Sequence, residues 1–180
     1  MRRFRPNETK LRELILYLAR KSESDPKCGA VKLNKLLFFS DFIFYAKTGK
    51  PITGSEYQRI EHGPALRRLL PVRTDMLSRG ECAIQVRNYY GKPQKRLVAL
   101  RDPKLSVFTA EEIALVDEVL EAFCDHDART ISGITHDLPV WQAFGDKETI
   151  PYEAIFVNNR PLTESERRHA LTIKPTSLAA

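Results

Sequence analysis

Residues 31–48 carry more apolar side chains than one face of a helix can hold. Leu33, Leu36, Leu37, Phe39, Phe42, Ile43 and Tyr45 recur at helical spacing, with Phe38 and Phe44 beside them. A helix that is apolar on most sides must be enclosed by the rest of its chain. The spacing therefore predicts a central buried helix, stopped by Gly49 in the usual position after a helix end. Lys32, Lys35 and Asp41 supply its narrow polar edge. The apolar run 36–46 is broken by Asp41 and is far shorter than the roughly 18 residues that span a bilayer. A soluble protein is expected, with no membrane partner.

The remaining elements are expected to enclose that helix. Asn7 is a good N-cap for a first helix reaching about Ser22, with Leu11, Leu14, Ile15 and Leu18 on one face. Residues 50–63 are rich in turn formers, with a short extended piece at 57–60. Pro64 reads as the first turn of a third helix carrying Leu66, Leu69, Leu70 and Val72. Pro71 would kink or interrupt that helix, and Gly80 would end it. Two alternating runs, 82–90 and 94–101, flank Gly91, Lys92 and Pro93 and predict a β-hairpin. Thr109 with Glu112 forms a capping box for a fourth helix burying Ile113, Val116, Val119, Leu120 and Phe123. A short helix follows at 129–137, and Thr163 with Glu166 opens a terminal one. The fold class expected is mainly α (α+β): one compact domain over 1–180, with five to seven helices and one small antiparallel β-hairpin. Its core spans about 8–157, with a C-terminal helix and tail at 158–180. A chain of 180 residues buries about 70% of its unfolded surface, enough for a real core.

Charge divides the chain unevenly. Residues 1–104 hold 23 Lys and Arg against 10 Asp and Glu, whereas residues 105–155 hold 2 against 11. Such asymmetry marks either a basic surface for nucleic acid and an acidic one for a basic partner, or two faces attracting each other within one domain. Cys28, Cys82 and Cys124 are odd in number, widely separated and without a CxxC pair, which supports neither a disulfide framework nor a zinc finger. The basic N-terminus leads into a charged amphipathic helix and not into an apolar signal block. A cytoplasmic location follows from these features as an expectation.

Three classes of function compete. Catalysis has little support: His62, His126, His136 and His169 stand in no HxxxH or HExxH pattern, and no GxSxG, P-loop or GxGxxG motif occurs. No enzyme activity, catalytic residue, metal site or cofactor is expected. Nucleic-acid binding could use a basic wing made by Arg87, Lys92, Lys95 and Arg96 on the hairpin. Tyr89 and Tyr90 would stack on bases there. Protein recognition could use Tyr57, His62, Pro64, Arg67 and Trp141, because rigid rings bury contact area at low entropic cost. Lys32 and Lys35 would be their polar companions.

Several blocks decide among these by resemblance. The run Lys32-Leu33-Asn34-Lys35-Leu36-Leu37-Phe38-Phe39-Ser40-Asp41-Phe42, then Gly49-Lys50-Pro51-Ile52-Thr53-Gly54 and His62-Gly63-Pro64, resembles the core of the Panacea domain. That domain defines the SocA-like antitoxins and is similar to phage-associated proteins of the GepA type. Ile131 to His136, Trp141 and Ile150-Pro151-Tyr152 resemble its second block, so the similarity spans about 8–157. The resemblance implies a mainly helical antitoxin of a type II toxin-antitoxin system. It would neutralise a protein toxin encoded by a neighbouring gene, by direct binding and without cofactor, with a protease or chaperone as a further partner. A nucleic-acid-binding regulator using residues 82–101 is the rival reading.

Overall fold

The computed structural model describes residues 4–157, 163–165 and 168. α1 (Glu8–Lys21) starts at Asn7, whose side-chain oxygen accepts a hydrogen bond from the Lys10 N–H. α2 (Ala30–Thr48) ends at Gly49, which takes a left-handed φ of 75° and returns its N–H to the Tyr45 carbonyl. Leu36, Leu37, Phe38 and Phe42 of α2 have no accessible surface. The other elements gather around them, and α2 touches α1, the fourth and fifth helices, both small sheets and the turn near Tyr152. Phe38 and Phe42 lie 4.3 Å apart by ring centroid, Phe42 and Tyr152 4.7 Å, and Phe39 and Phe123 4.6 Å. Removing one such ring to alanine costs about 3–5 kcal/mol, which makes this cluster the main source of cohesion.

The chain after α2 departs from expectation. β1 (Tyr57–Ile60) and β2 (Gly63–Leu66) form a hairpin over Glu61 and His62, with Arg59 opposite Pro64. β5 (Thr149–Ile150) pairs with the other edge of β1, giving the antiparallel order β2-β1-β5. Pro64 therefore opens no helix. It occupies an edge strand, where a residue without an N–H is tolerated, and Gly63 before it has a φ of 93° that only glycine adopts freely. α3 (Leu69–Ser78) begins later and buries Leu69, Val72 and Met76, while Leu70 is exposed. Pro71 falls in the first turn, where backbone N–H groups have no intrahelical acceptor, so it neither kinks nor interrupts the helix.

The expected hairpin is present as β3 (Cys82–Tyr89) and β4 (Lys92–Ala99). Its turn is Tyr90-Gly91, with φ of 48° and 75°, the pair of positive values that matches strand twist in a two-residue hairpin loop. Lys92 and Pro93 belong to β4 and not to the turn. α4 (Ala110–Ala122) carries the Thr109–Glu112 capping box and buries Glu112, Leu115, Val116 and Val119. Ile113, Leu120 and Phe123 pack partly buried against the core. α5 (Ala128–Asp137) starts at Asp127, whose carboxylate accepts from the Thr130 N–H, and α6 (Pro139–Gln142) follows directly. Among the described residues there are six α-helices around a single hydrophobic cluster, a mainly α (α+β) architecture. No helix of the described residues is long and apolar enough to cross a membrane. Glu166 of the expected terminal capping box, and His169, lie outside the described residues.

Candidate functional site

Lys32, Lys35 and Asp41 of α2 do not form a wet edge: all three are buried and bonded to other parts of the chain. Asp41 has no accessible surface and accepts from the Thr53 N–H at 2.7 Å and the Thr53 hydroxyl at 2.5 Å. The Tyr57 hydroxyl stands 2.8 Å from the same carboxylate, and the Tyr152 hydroxyl 3.4 Å from it. Burial pushes the Asp41 carboxyl above its ordinary pKa, while the hydrogen bonds from Thr53, Tyr57 and Tyr152 oppose that rise. Burial, and then the nearby Asp41 charge, push Tyr57 and Tyr152 upward as well, so both phenols remain donors. Asp41 thus ties the Pro51-Ile52-Thr53-Gly54 turn, β1 and the Tyr152 turn to the central helix.

Lys35 carries the next motif. Its side chain is 2% exposed, and its ammonium nitrogen donates to the Pro64 carbonyl at 2.8 Å. No carboxylate pairs with it among the described residues, and burial lowers its pKa to about 7. A Cβ on Gly63 would lie 2.6 Å from Lys35 Nζ and 2.5 Å from Thr135 Oγ1. Glycine is required there twice over, by conformation and by space. Asn34 supports the same strand by accepting from the Leu66 N–H at 3.2 Å. Lys32 sits at the other end of the helix edge, also buried, bonded to Asp25 at 2.7 Å and to the Cys124 carbonyl at 3.1 Å.

Beside the Gly63 corner, three elements bring flat side chains together. The Arg59 guanidinium of β1 lies 4.1 Å from the ring centroid of Trp141 in α6. The His136 ring of α5 stacks on the same indole at 4.3 Å with planes 24° apart. Gln142 donates to the His136 carbonyl at 2.9 Å and fixes the α5–α6 corner. Arg59 Nε, Trp141 Nε1 and His136 Nε2 are shielded from solvent and have no hydrogen-bond partner. Buried polar atoms left in that condition cost about 1–3 kcal/mol each.

The residues singled out for protein recognition therefore divide. Tyr57, Pro64 and Lys35 are buried and shape the site from within, which corrects the expectation that Tyr57 and Pro64 present themselves for contact, while buried Lys32 is bonded to Asp25 and Cys124 instead. His62 and Arg67 are exposed and Trp141 is half-buried. Arg67 also bridges from the end of β2 to β5, donating to the Lys147 carbonyl at 2.9 Å and to Thr149 Oγ1 at 3.0 Å. Sequence reasoning missed Arg59, because nothing in the spacing links a strand residue to a tryptophan far along the chain.

The hairpin divides as well. Arg87, Lys92 and Lys95 are exposed, as is Tyr90, but Arg96 is 4% exposed. Its guanidinium donates to the carbonyls of Ser22, Glu23 and Asp25, the last two at 2.7 Å, and closes the C-terminal end of α1. This corrects its placement in a basic wing: Arg96 anchors the hairpin to the domain. All three cysteines are free, Cys28 and Cys82 being buried and Cys124 exposed.

No curated protein and no solved structure matches the chain. The model of the antitoxin SocA-like, Panacea domain matches residues 33–142, a stretch that includes Lys35, Asp41, Thr53, the His62-Gly63-Pro64 corner, His136 and Trp141. The Ile150-Pro151-Tyr152 block and Lys32 fall outside it. With more than half of its length inside that match, the chain belongs to the antitoxin SocA-like, Panacea domain family.

Proposed function

We propose that this chain is the antitoxin of a type II toxin-antitoxin system, and that it neutralises a protein toxin encoded by a neighbouring gene by binding it directly. It does so without cofactor and without catalysing a reaction. The observation that carries the reading is membership of a family named for antitoxins. The toxin docks on the outer side of the corner, where His62 and Arg67 are exposed beside half-buried Trp141. Tyr57, Pro64 and Lys35 hold that corner rigid from inside, which lowers the entropy lost when a partner binds. Co-expression with the neighbouring gene's product tests the reading. Growth should be restored by the folded chain, and a product that is harmless alone, or toxic beside the soluble chain, overturns it.

A second reading keeps one favourable observation. Tyr90 is 89% exposed at the hairpin tip, next to exposed Lys92, Lys95 and Arg87, a combination suited to phosphate and base contact. Binding to promoter DNA that falls steeply with added salt would support it, and absence of binding near physiological salt removes it.

A further inference from the structure

We propose that the open edge of β3, from Ile84 to Asn88, takes up an extended acidic segment of the protein partner as a third strand. That the partner is a toxin rests on the antitoxin reading, and the edge itself does not. The Leu100 N–H donates to the Glu81 carbonyl, just before the first registered pair of the hairpin, Cys82 with Ala99. Antiparallel pairs alternate from there, so Ala83, Gln85 and Arg87 turn their backbone N–H and C=O groups to β4, and Ile84, Val86 and Asn88 turn theirs away. Asn88 stands opposite Pro93, where the ladder needs no N–H, as this alternation requires. Among the described residues the sheet has only these two strands, and no backbone bond from another segment reaches Ile84, Val86 or Asn88. Residues 85–88 are all exposed, Val86 at 61%. The outer edge of β4 is different, since that strand packs against α1 and α2 and Pro93 removes a donor from it. A row of accessible, unpaired donors and acceptors is a template for a further strand.

Charge selects the occupant. Residues 82–99 hold Arg87, Lys92, Lys95 and Arg96 and no Asp or Glu. Arg96 is turned inward, whereas Arg87, Lys92 and Lys95 are exposed and take part in none of the ion pairs among the described residues. Two copies of the chain joined edge to edge would set these like charges together, which disfavours self-pairing and favours an acidic strand. A nucleic-acid backbone accepts at its phosphates but does not donate, so it would leave the outward carbonyls of Ile84, Val86 and Asn88 unmatched. An extended peptide answers both donors and acceptors. The face carrying Ala83, Gln85 and Arg87 opens onto a groove of about 310 Å³, walled by Ala19, Arg20 and Glu23 at the end of α1. Alternate side chains of an added strand lie over that face, where an acid meets Arg87, and the intervening ones lie beside Val86.

Hydrogen exchange at the backbone amides of Ile84, Val86 and Asn88, followed by nuclear magnetic resonance, tests the edge. A capped peptide alternating glutamate with valine should slow all three by about tenfold or more at saturation, while the amides of Ala83, Gln85 and Arg87, already bonded to β4, change little. A peptide alternating lysine with valine should give no protection, and neither should the glutamate peptide methylated at its backbone nitrogens. Val86→Pro removes one outward N–H and no bond to β4, so it should abolish the effect while the other hairpin amides keep their positions. Arg87→Glu should weaken binding of the glutamate peptide about tenfold. Absence of protection, or equal protection by either control peptide, overturns the proposal. So does protection that grows with protein concentration alone, which assigns the edge to a second copy, or a response to oligothymidylate in place of the peptide, which assigns it to nucleic acid. Co-expression separates the two readings. If the wild-type chain neutralises its toxin while the glutamate peptide protects nothing, the edge proposal falls and the antitoxin reading stands. If the peptide protects and no neighbouring toxin is neutralised, the edge stands and the toxin as its source falls. Val86→Pro should also reduce neutralisation, and full retention overturns the assignment of the added strand to the toxin.

Discussion

Lys35 Nζ lies 2.8 Å from the Pro64 carbonyl oxygen, inside the domain and with no carboxylate opposite it among the described residues. This bond joins the central helix to the hairpin whose outer side forms the candidate docking corner, and its consequences can be measured.

Burial lowers the Lys35 pKa from 10.5 to about 7. Between those values the unfolded chain binds more protons at this site than the folded one. Stability therefore rises with pH from about 7 to 10.5, and the penalty for the buried charge is at full size below that window. Lys35→Met removes the titration and leaves the Pro64 carbonyl unpaired, at about 1–3 kcal/mol. Urea unfolding at several pH values should show the wild type gaining on the variant as pH rises through the window. A difference independent of pH removes the neutral-amine account.

Gly63→Ala should cost more than 2 kcal/mol, because the new methyl meets Lys35 Nζ and Thr135 Oγ1 and the backbone has a positive φ. Gly80→Ala is the control. Gly80 also has a positive φ, of 67°, but nothing lies within 4 Å of its Cβ position, so about 1 kcal/mol is expected. Equal losses in thermal unfolding would show that conformation alone, and not the Lys35–Thr135 cradle, requires glycine at 63.

Asp41→Asn should destabilise by about 2 kcal/mol, since its amide turns a donor toward groups that already donate. Tyr152→Phe, which removes a hydroxyl bonded to the Ser55 carbonyl at 2.7 Å, should lose about 1 kcal/mol. Denaturant melts compare the two, and a neutral Asp41→Asn contradicts the hub described for that carboxylate.

His62→Ala should leave stability within about 0.5 kcal/mol, as befits an exposed turn residue. On the antitoxin reading it weakens toxin binding. Thermal unfolding and pull-down with the toxin separate these effects, and unchanged capture removes His62 from the docking surface.

Arg96→Met should cost about 2–4 kcal/mol, because three carbonyls at the end of α1 lose their donor. Lys92→Gln with Lys95→Gln should change stability by less than about 0.5 kcal/mol. If DNA binding exists, the lysine pair lowers it and reduces its salt slope.

Local rules made much of this fold legible. The Asn7 cap, the Gly49 stop, the Thr109–Glu112 box and the 82–99 hairpin are short-range devices whose partners lie within a few residues, and all are present. Pro64 misled because proline is suited both to a first helical turn and to an edge strand. The choice depends on β1 pairing with it, which no local rule reports. Lys32, Lys35 and Asp41 misled because charge on a helix ordinarily marks its wet side, and their compensating partners lie in other elements.

The central buried helix was legible from residue types alone, since its apolar side chains exceed any single face, and the motifs around that helix carry family membership. Which motif residues face outward is a matter of tertiary packing. Burial of Tyr57, Pro64 and Arg96, and the meeting of Arg59, Trp141 and His136, come from contacts between residues distant in the chain. Spacing along a helix or strand governs which side chains share a face. It carries no information on which faces meet, because that is settled by the packing of the whole core.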